Sequence, residues 1–301
     1  PLYVWKRAFE KPYSINTLSK ERPGAARYRG FHKNDLDKCI GCGTCAEICQ
    51  NQSIEMVPVH SAKDGDSGLR PKIDYGRCCW CALCVDICPS GSLTMSNSYI
   101  WVEEGLDRDV QETYCYIPGA DQKPWDSEEL GYHRPEGYEL LRLERVPMPH
   151  LPAEERLESF VEMVKGYSRE LAIKEADRCI QCGICTATCP AHMNIPAYIK
   201  AIREDRITEG LKILYETNPF PGVCGRVCTR RCEDVCALSH RGEAISIRWL
   251  KRYLTDCIES KDYQGILNSE VVPNGKNIAI IGSGPGGLSA AYYLAKLGYR
   301  V

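Results

Sequence analysis

The sequence predicts an α+β chain of several domains, and three observations carry that reading. Two cysteine runs near the N-terminus flank a short alternating apolar stretch, which suits a small unit with brief strands. Two further cysteine sets, after residue 151, lie among stretches with helical periodicity and helix-start signals. Near the C-terminus an apolar run enters a glycine-rich turn and then a helix of small residues, the opening of an α/β layer. The expected division is an N-terminal arm (1–30), a first cysteine unit (31–100), an extended linker (101–150), an all-helical cysteine unit (151–265) and the start of an α/β unit (266–301).

At 301 residues the chain is long enough for a sizeable core. A formal net charge of −2 gives no pull toward nucleic acid or an anionic membrane, so neither is an expected partner. No window approaches about 18 consecutive apolar residues, so no membrane span is expected. The first residues are broken by charge, lack a signal-peptide core and lack an initiator Met, so the start is expected to be trimmed. Nineteen cysteines would mean disulfides in a short secreted protein. Here they fall into four sets of four, leaving Cys79, Cys115 and Cys257 over, and free thiolates imply a reducing cytoplasm.

The first unit turns on Cys78, Cys81, Cys84 and Cys88, spaced C-x2-C-x2-C-x3-C with Pro89 following. Three such thiolates can curl around one corner of an iron–sulfur cube, while the fourth serves a different cube. An upstream run, Cys39-x2-Cys42-x2-Cys45-x3-Cys49, supplies the partner. One cluster is then expected on Cys39, Cys42, Cys45 and Cys88, the other on Cys78, Cys81, Cys84 and Cys49. This pattern resembles a bacterial two-4Fe-4S ferredoxin. Gln50 stands where the first run would carry its proline, which predicts a looser turn. Zinc is the competing ligand for paired C-x2-C knuckles, but the x2, x2, x3 spacing suits a tetrahedral zinc site poorly.

Around these runs, residues 53–59 alternate as a strand, residues 61–68 are a turn-rich insertion, and 93–95 form a closing strand. Residues 1–30 are rich in aromatics without periodicity and read as a strap on this unit or an arm reaching another subunit. Residues 101–150 hold many prolines, glycines and tyrosines and read as a linker clinging to a surface, with Cys115 a packed small hydrophobe.

Order returns at Pro152, where a helix is expected with Leu157, Phe160, Val161 and Val164 as its apolar stripe and Gly166 as its end. A second helix over about 169–177 delivers Cys179, Cys182, Cys185 and Cys189-Pro190. Asn194-Ile-Pro196 starts another helix, and Asn218-Pro-Phe-Pro221 breaks the next. The fourth set, Cys224, Cys228, Cys232 and Cys236, has a regular spacing of four that fits either a helix face or ligation, and ligation is the better reading.

The strings RCIQCGICTATCPAHMNIPAYI and NPFPGVCGRVCTRRCEDVC, with PAEERLESFVEMVKGYSRELAIKEADRC before them, resemble the N-terminal cluster domain of the glutamate synthase small subunit. The same domain occurs in dihydropyrimidine dehydrogenase and in the large subunit of NADH-dependent ferredoxin:NADP oxidoreductase. The resemblance implies two 4Fe-4S clusters, one on Cys179, Cys182, Cys185 and Cys236, the other using Cys189, Cys228 and Cys232. The family's fourth ligand there is a Glu or Gln, and Lys251 holds that place in this sequence. An ammonium cannot ligate iron, so Cys224 is the expected substitute. Arg226, Arg230, Arg231 and Arg248 are candidate cations beside a negatively charged cluster, and His192 reads as a surface histidine.

At the end, a buried strand over 278–281 is expected to run into Gly282-x-Gly284-x-x-Gly287 and a helix, a Rossmann-type arrangement whose N-terminus favours a pyrophosphate. The resemblance implies FAD on Gly282, Gly284 and Gly287. The acidic residue expected about 20 residues beyond the glycines does not fall within the sequence, so this segment alone is not expected to hold flavin tightly. The whole reads as an electron-transfer subunit of a soluble NAD(P)H-linked flavin oxidoreductase with four 4Fe-4S clusters. Its expected partners are other oxidoreductase subunits or a soluble ferredoxin. A glutamate synthase small-subunit-like NADPH reductase and a non-catalytic relay are the alternatives, and no hydrolytic constellation is present.

Overall fold

The computed structural model describes residues 2–10, 24–59, 65–100, 114–119, 130–267 and 271–301. The expected features at 61–64, and much of the arm and linker, lie outside these residues. The first unit is two small antiparallel sheets with two short helices. Strand β1 (His32–Asn34) pairs β4 (Leu93–Met95), with His32 opposite Met95. Strand β2 (Ile54–Pro58) pairs β3 (Leu69–Asp74), which pairs the two-residue β5 (Cys115–Tyr116). Phe31, Ile73, Tyr75, Val85, Leu93 and Met95 fill its core.

Helices α2 (Thr44–Glu47) and α3 (Leu83–Ile87) sit within the two cysteine runs. Each starts after a residue in the left-handed region, Gly43 at φ 74° and Ala82 at φ 67°. That conformation is natural for glycine and costs alanine roughly 1–2 kcal/mol, so the second run holds its turn against a local penalty. The arm departs from expectation at its start, where α1 (Leu2–Ala8) is a short exposed helix with Trp5 stacked on Phe9.

The second unit is helical. Beyond α4 (Ala153–Glu158) come α5 (Arg169–Ala176), α6 (Ile184–Thr188), α7 (Ile195–Arg203), α8 (Ile207–Thr217), α9 (Pro221–Val227), α10 (Arg231–Asp234), α11 (Ile247–Asp256) and α12 (Tyr263–Leu267). Asn194 caps α7 by accepting from the Ala197 N–H. Ile195, Tyr198, Ile199 and Ile202 then make the stripe that α7 buries against Leu214 of α8 and Leu250 and Leu254 of α11. Gly225 lets α9 lie on α11, because a Cβ there would press on the Arg252 backbone at 3.0 Å.

The expected stripe after Pro152 does not form. Helix α4 ends at Glu158, and Leu157 and Phe160 are exposed. The backbone explains this: the Leu151 N–H bonds the Met163 carbonyl and the Lys165 N–H bonds the Pro149 carbonyl, so the chain folds back as a loop.

At the C-terminus, α13 (Pro285–Lys296) follows the glycines. The expected strand over 278–281 is reduced to one parallel bridge, Asn277 with Arg300, and Ile281 is fully exposed. A strand and helix with no neighbouring strands cannot bury both sheet faces. Tyr292 of α13 packs on Tyr215 of α8.

Candidate metal centres

Cysteines far apart in sequence meet in three hollows. The first, about 330 Å³, is lined by Cys39, Cys42, Cys45 and Cys88 and is called cradle A. Cradle B, about 500 Å³, takes Cys78, Cys81 and Cys84 from the second run and Cys49 from the first, with Cys79 also on its wall. Cradle C, about 360 Å³, joins Cys179, Cys182 and Cys185 to Cys236, with Pro196, Ile199 and Ile247 as apolar wall. Among the described residues no three His, Cys, Asp or Glu side chains converge to hold a single metal ion. A zinc ion needs its sulfurs about 2.3 Å from one point, whereas these thiols stand around a space. Four thiols facing a shared hollow suit a cluster that brings its own sulfide.

The fourth set is no single helix face. Cys224 lies within α9, Cys228 caps its end, Cys232 lies in α10 and Cys236 follows it. The Cys189, Cys228 and Lys251 charges all act on the Cys232 thiol, which burial pushes up to about 12. Lys251 is buried, and its charge works against the rise of the Cys232 thiol. The Cys224 thiol, one turn before Cys228, points to Asn218 Oδ1 at 3.9 Å.

Burial pushes most of these thiols up: Cys42, Cys179 and Cys182 to about 11, with Cys45, Cys84 and Cys185 also raised. Iron must therefore displace protons to bind. Cys49 and Cys88 go the other way. Burial would raise them too, but hydroxyl and backbone partners four residues on, at Ser53 and Ser92, hold both below the usual thiol range. The sulfur to hydroxyl distances are 3.0 Å for Cys49 with Ser53 and 3.4 Å for Cys88 with Ser92. These are the two cysteines that cross to the other run's cradle.

Further groups touch the sulfurs. Thr44 Oγ1 lies 3.2 Å from Cys42, Gln181 Nε2 lies 3.4 Å from Cys179, and His32 Nε2 lies 3.4 Å from Cys84. Sequence reasoning missed all of these; only the i+4 serines left a readable spacing. Of the four arginines singled out as cluster cations, Arg226 is engaged by Glu162 and Asp256. Arg248 donates to the Cys228 carbonyl at 3.2 Å. Arg230 contributes its backbone N–H, 3.5 Å from Cys228 Sγ, and His192 is an exposed histidine with left-handed backbone. Cys115 is buried, while Cys79 and Cys257 are exposed.

At the glycine turn, Gly282 is left-handed at φ 106°. A Cβ on Gly287 would collide with the Gly282 carbonyl, so the helix reaches the turn only because Gly287 has none. Gly284 directly precedes the helix N-terminus.

Paired cysteine cradles of this kind define an iron–sulfur protein. Residues 38–92 match the 4Fe-4S dicluster domain, and residues 156–263 match dihydropyrimidine dehydrogenase domain II, 4Fe-4S cluster. The chain is 38% identical to the glutamate synthase [NADPH] small chain of Escherichia coli over 167 residues, 54% of this chain and 35% of that one. Its likeness to UacF of E. coli, named an oxidoreductase, is 31% over 277 residues, 89% of this chain and 40% of that protein. It is 42% identical over 120 residues to the NADPH-Fe(3+) oxidoreductase subunit beta of Geobacter sulfurreducens, 38% of this chain and 17% of that one. The chain carries both matched 4Fe-4S domains and is similar to these oxidoreductases. It spans two fifths or less of the length of these relatives.

Proposed function

We propose that this chain is the iron–sulfur electron-transfer part of a multisubunit NAD(P)H-linked flavin oxidoreductase, handing single electrons between a C-terminal FAD and a partner subunit or ferredoxin. The observation that carries the reading is the meeting of four or more cysteines at each of three hollows, two in the first unit and one in the second. Bound 4Fe-4S clusters would supply one-electron exchange, and bound flavin would split a hydride into such steps. The chain's own part is to hold the clusters by thiolate, keep them dry and fix their spacing. Cys189, Cys228 and Cys232 would hold a fourth cluster, completed by Cys224.

The helix after Gly282, Gly284 and Gly287, the left-handed Gly282 and the parallel bridge from Asn277 to Arg300 support a dinucleotide turn. No helix among the described residues is long and apolar enough to cross a membrane. A reducing cytoplasm suits the free thiols.

Anaerobic purification of the intact protein tests the reading. A brown protein with iron and sulfide near four clusters, and flavin absorbance bleached by NADH or NADPH, is expected. Iron–sulfur colour without flavin would leave only a relay. Zinc or no metal would end the proposal.

A further inference from the structure

Between the two cysteine units runs a seam that belongs to neither main core. Ile40, Ile184 and Ala237 are buried together there, with Cys42 and Cys182 packed against them. Cys42 lines cradle A and Cys182 lines cradle C, so the seam touches both cradles. Within the first unit Cys45 of cradle A and Cys84 of cradle B share one core, and within the second Cys185 of cradle C and Cys232 share the other. The cradles therefore follow one another as B, A, C and the Cys232 group. The step from A to C is the one that leaves the first unit.

A polar staple flanks that step. Arg241 lies five residues after Cys236 of cradle C, and its buried side chain reaches into the first unit. There Nη1 donates to the Cys88 carbonyl at 3.2 Å, while Nη2 pairs with Glu139. Arg134 donates to the same carbonyl at 3.0 Å. One carbonyl of a cradle A cysteine thus carries two guanidinium groups, one of them supplied by the cradle C segment.

We propose that the seam of Ile40, Cys42, Cys182, Ile184 and Ala237 is the crossing through which single electrons pass between the two units, and that Arg241 is the positioning residue that holds cradle A against cradle C. The inference rests on the reading that the cradles hold 4Fe-4S clusters. Crossing oxidises one side by one electron and reduces the other by one, with no bond made or broken. Apolar side chains exclude water from the gap, and the staple fixes its width. Two nearby cations also offset the extra negative charge on the cradle A side when it is reduced.

The test uses the intact, cluster-loaded protein reduced chemically, so neither flavin nor nucleotide enters. Low-temperature EPR should show the cradle A signal broadened by a neighbouring spin. Cys185→Ala, which empties cradle C, should lessen that broadening to the part cradle B causes, whereas Cys232→Ala should leave it whole. Two variants keep every cysteine in case Cys185→Ala fails to fold. Arg241→Ala should weaken the broadening, lower the cradle A potential and slow re-equilibration between the units tenfold or more, and Arg241→Lys should restore part of each. Ile184→Ala should loosen the coupling, with iron and sulfide assayed on the same sample. A cradle A signal indifferent to Cys185→Ala, Ile184→Ala and Arg241→Ala, in protein with full iron and sulfide, would overturn the crossing and leave the functional reading standing. Wild-type protein without iron and sulfide would sink both.

Discussion

The two cysteine units solve the same problem with different completeness. In the first, the runs exchange their last cysteines symmetrically: Cys49 goes to cradle B and Cys88 to cradle A, and each carries a serine four residues on within reach of its sulfur. In the second, the exchange is lopsided. Cys236 closes cradle C, but Cys189 joins Cys228 and Cys232 beside a buried lysine. Local spacing can place three thiols around a corner, because one tight turn and a short helix suffice. The fourth must come from elsewhere in the fold, and its identity depends on tertiary packing.

Removing cysteines is the harshest way to break the comparison. Cys84→Ala and Cys236→Ala should each cost a whole cluster, about four irons. Cys224→Ala should cost only about one, converting a cube to a three-iron cluster with its own EPR signal. Iron and sulfide assays with EPR check all three. If Cys224→Ala keeps every cluster intact, the fourth ligand beside Lys251 is not this thiol, and the second unit is more asymmetric still.

The scaffold behind cradle C gives the next largest effect. Arg178, directly before Cys179, pairs with Glu175 at 2.8 Å, both side chains essentially inaccessible. Glu175 also accepts from the Val146 and Ser246 N–H groups, each at 2.8 Å, and Arg178 donates to the carbonyls of Arg142 and Leu143. Glu175→Ala strands a buried guanidinium and two amides. It should destabilise the second unit by roughly 3–5 kcal/mol, read as a lower unfolding midpoint with loss of cradle C while cradles A and B stay loaded. Simultaneous loss from both units would mean that the two fold as one cooperative body.

How much of this was legible in the sequence differs between the same two regions. The grouping of Cys88 with Cys39, Cys42 and Cys45, and of Cys49 with Cys78, Cys81 and Cys84, follows from the resemblance to two-cluster ferredoxins, where the fourth cysteine of such a run serves the other cluster. Helix α7 was legible because Asn194, Pro196 and a clean apolar period agree. The stripe after Pro152 misled because periodicity reports what a helix could bury, not whether a partner face exists. His32, Arg134 and Arg241 were invisible: each acts on a cysteine more than 40 residues away, and nothing local marks it.

The finest contrast lies in what touches the sulfurs, and His32 sharpens it most. The imidazole is buried against the Tyr75 and Trp80 rings, which stack on each other, and burial lowers its pKa from 6.5 to about 4. It is therefore neutral around neutral pH. Its Nδ1 has no partner among the described residues, while Nε2 sits 3.4 Å from Cys84 Sγ. The tautomer that protonates Nε2 donates to the sulfur and leaves the lone pair on Nδ1, so one hydrogen bond is made at the cost of one orphan acceptor. A donor at sulfur favours the more negative, reduced form of whatever cluster the sulfur binds, and so raises its potential. His32→Leu removes the donor and keeps the bulk. It should lower the potential of the cradle B cluster and leave cradle A unmoved, in a redox titration followed by EPR. Because the ring stays neutral well below neutral pH, the wild-type value should not vary with pH near 7. A cradle B potential that ignored His32→Leu, or one that rose as pH fell through 7, would show that the ring only packs, or that it carries charge there.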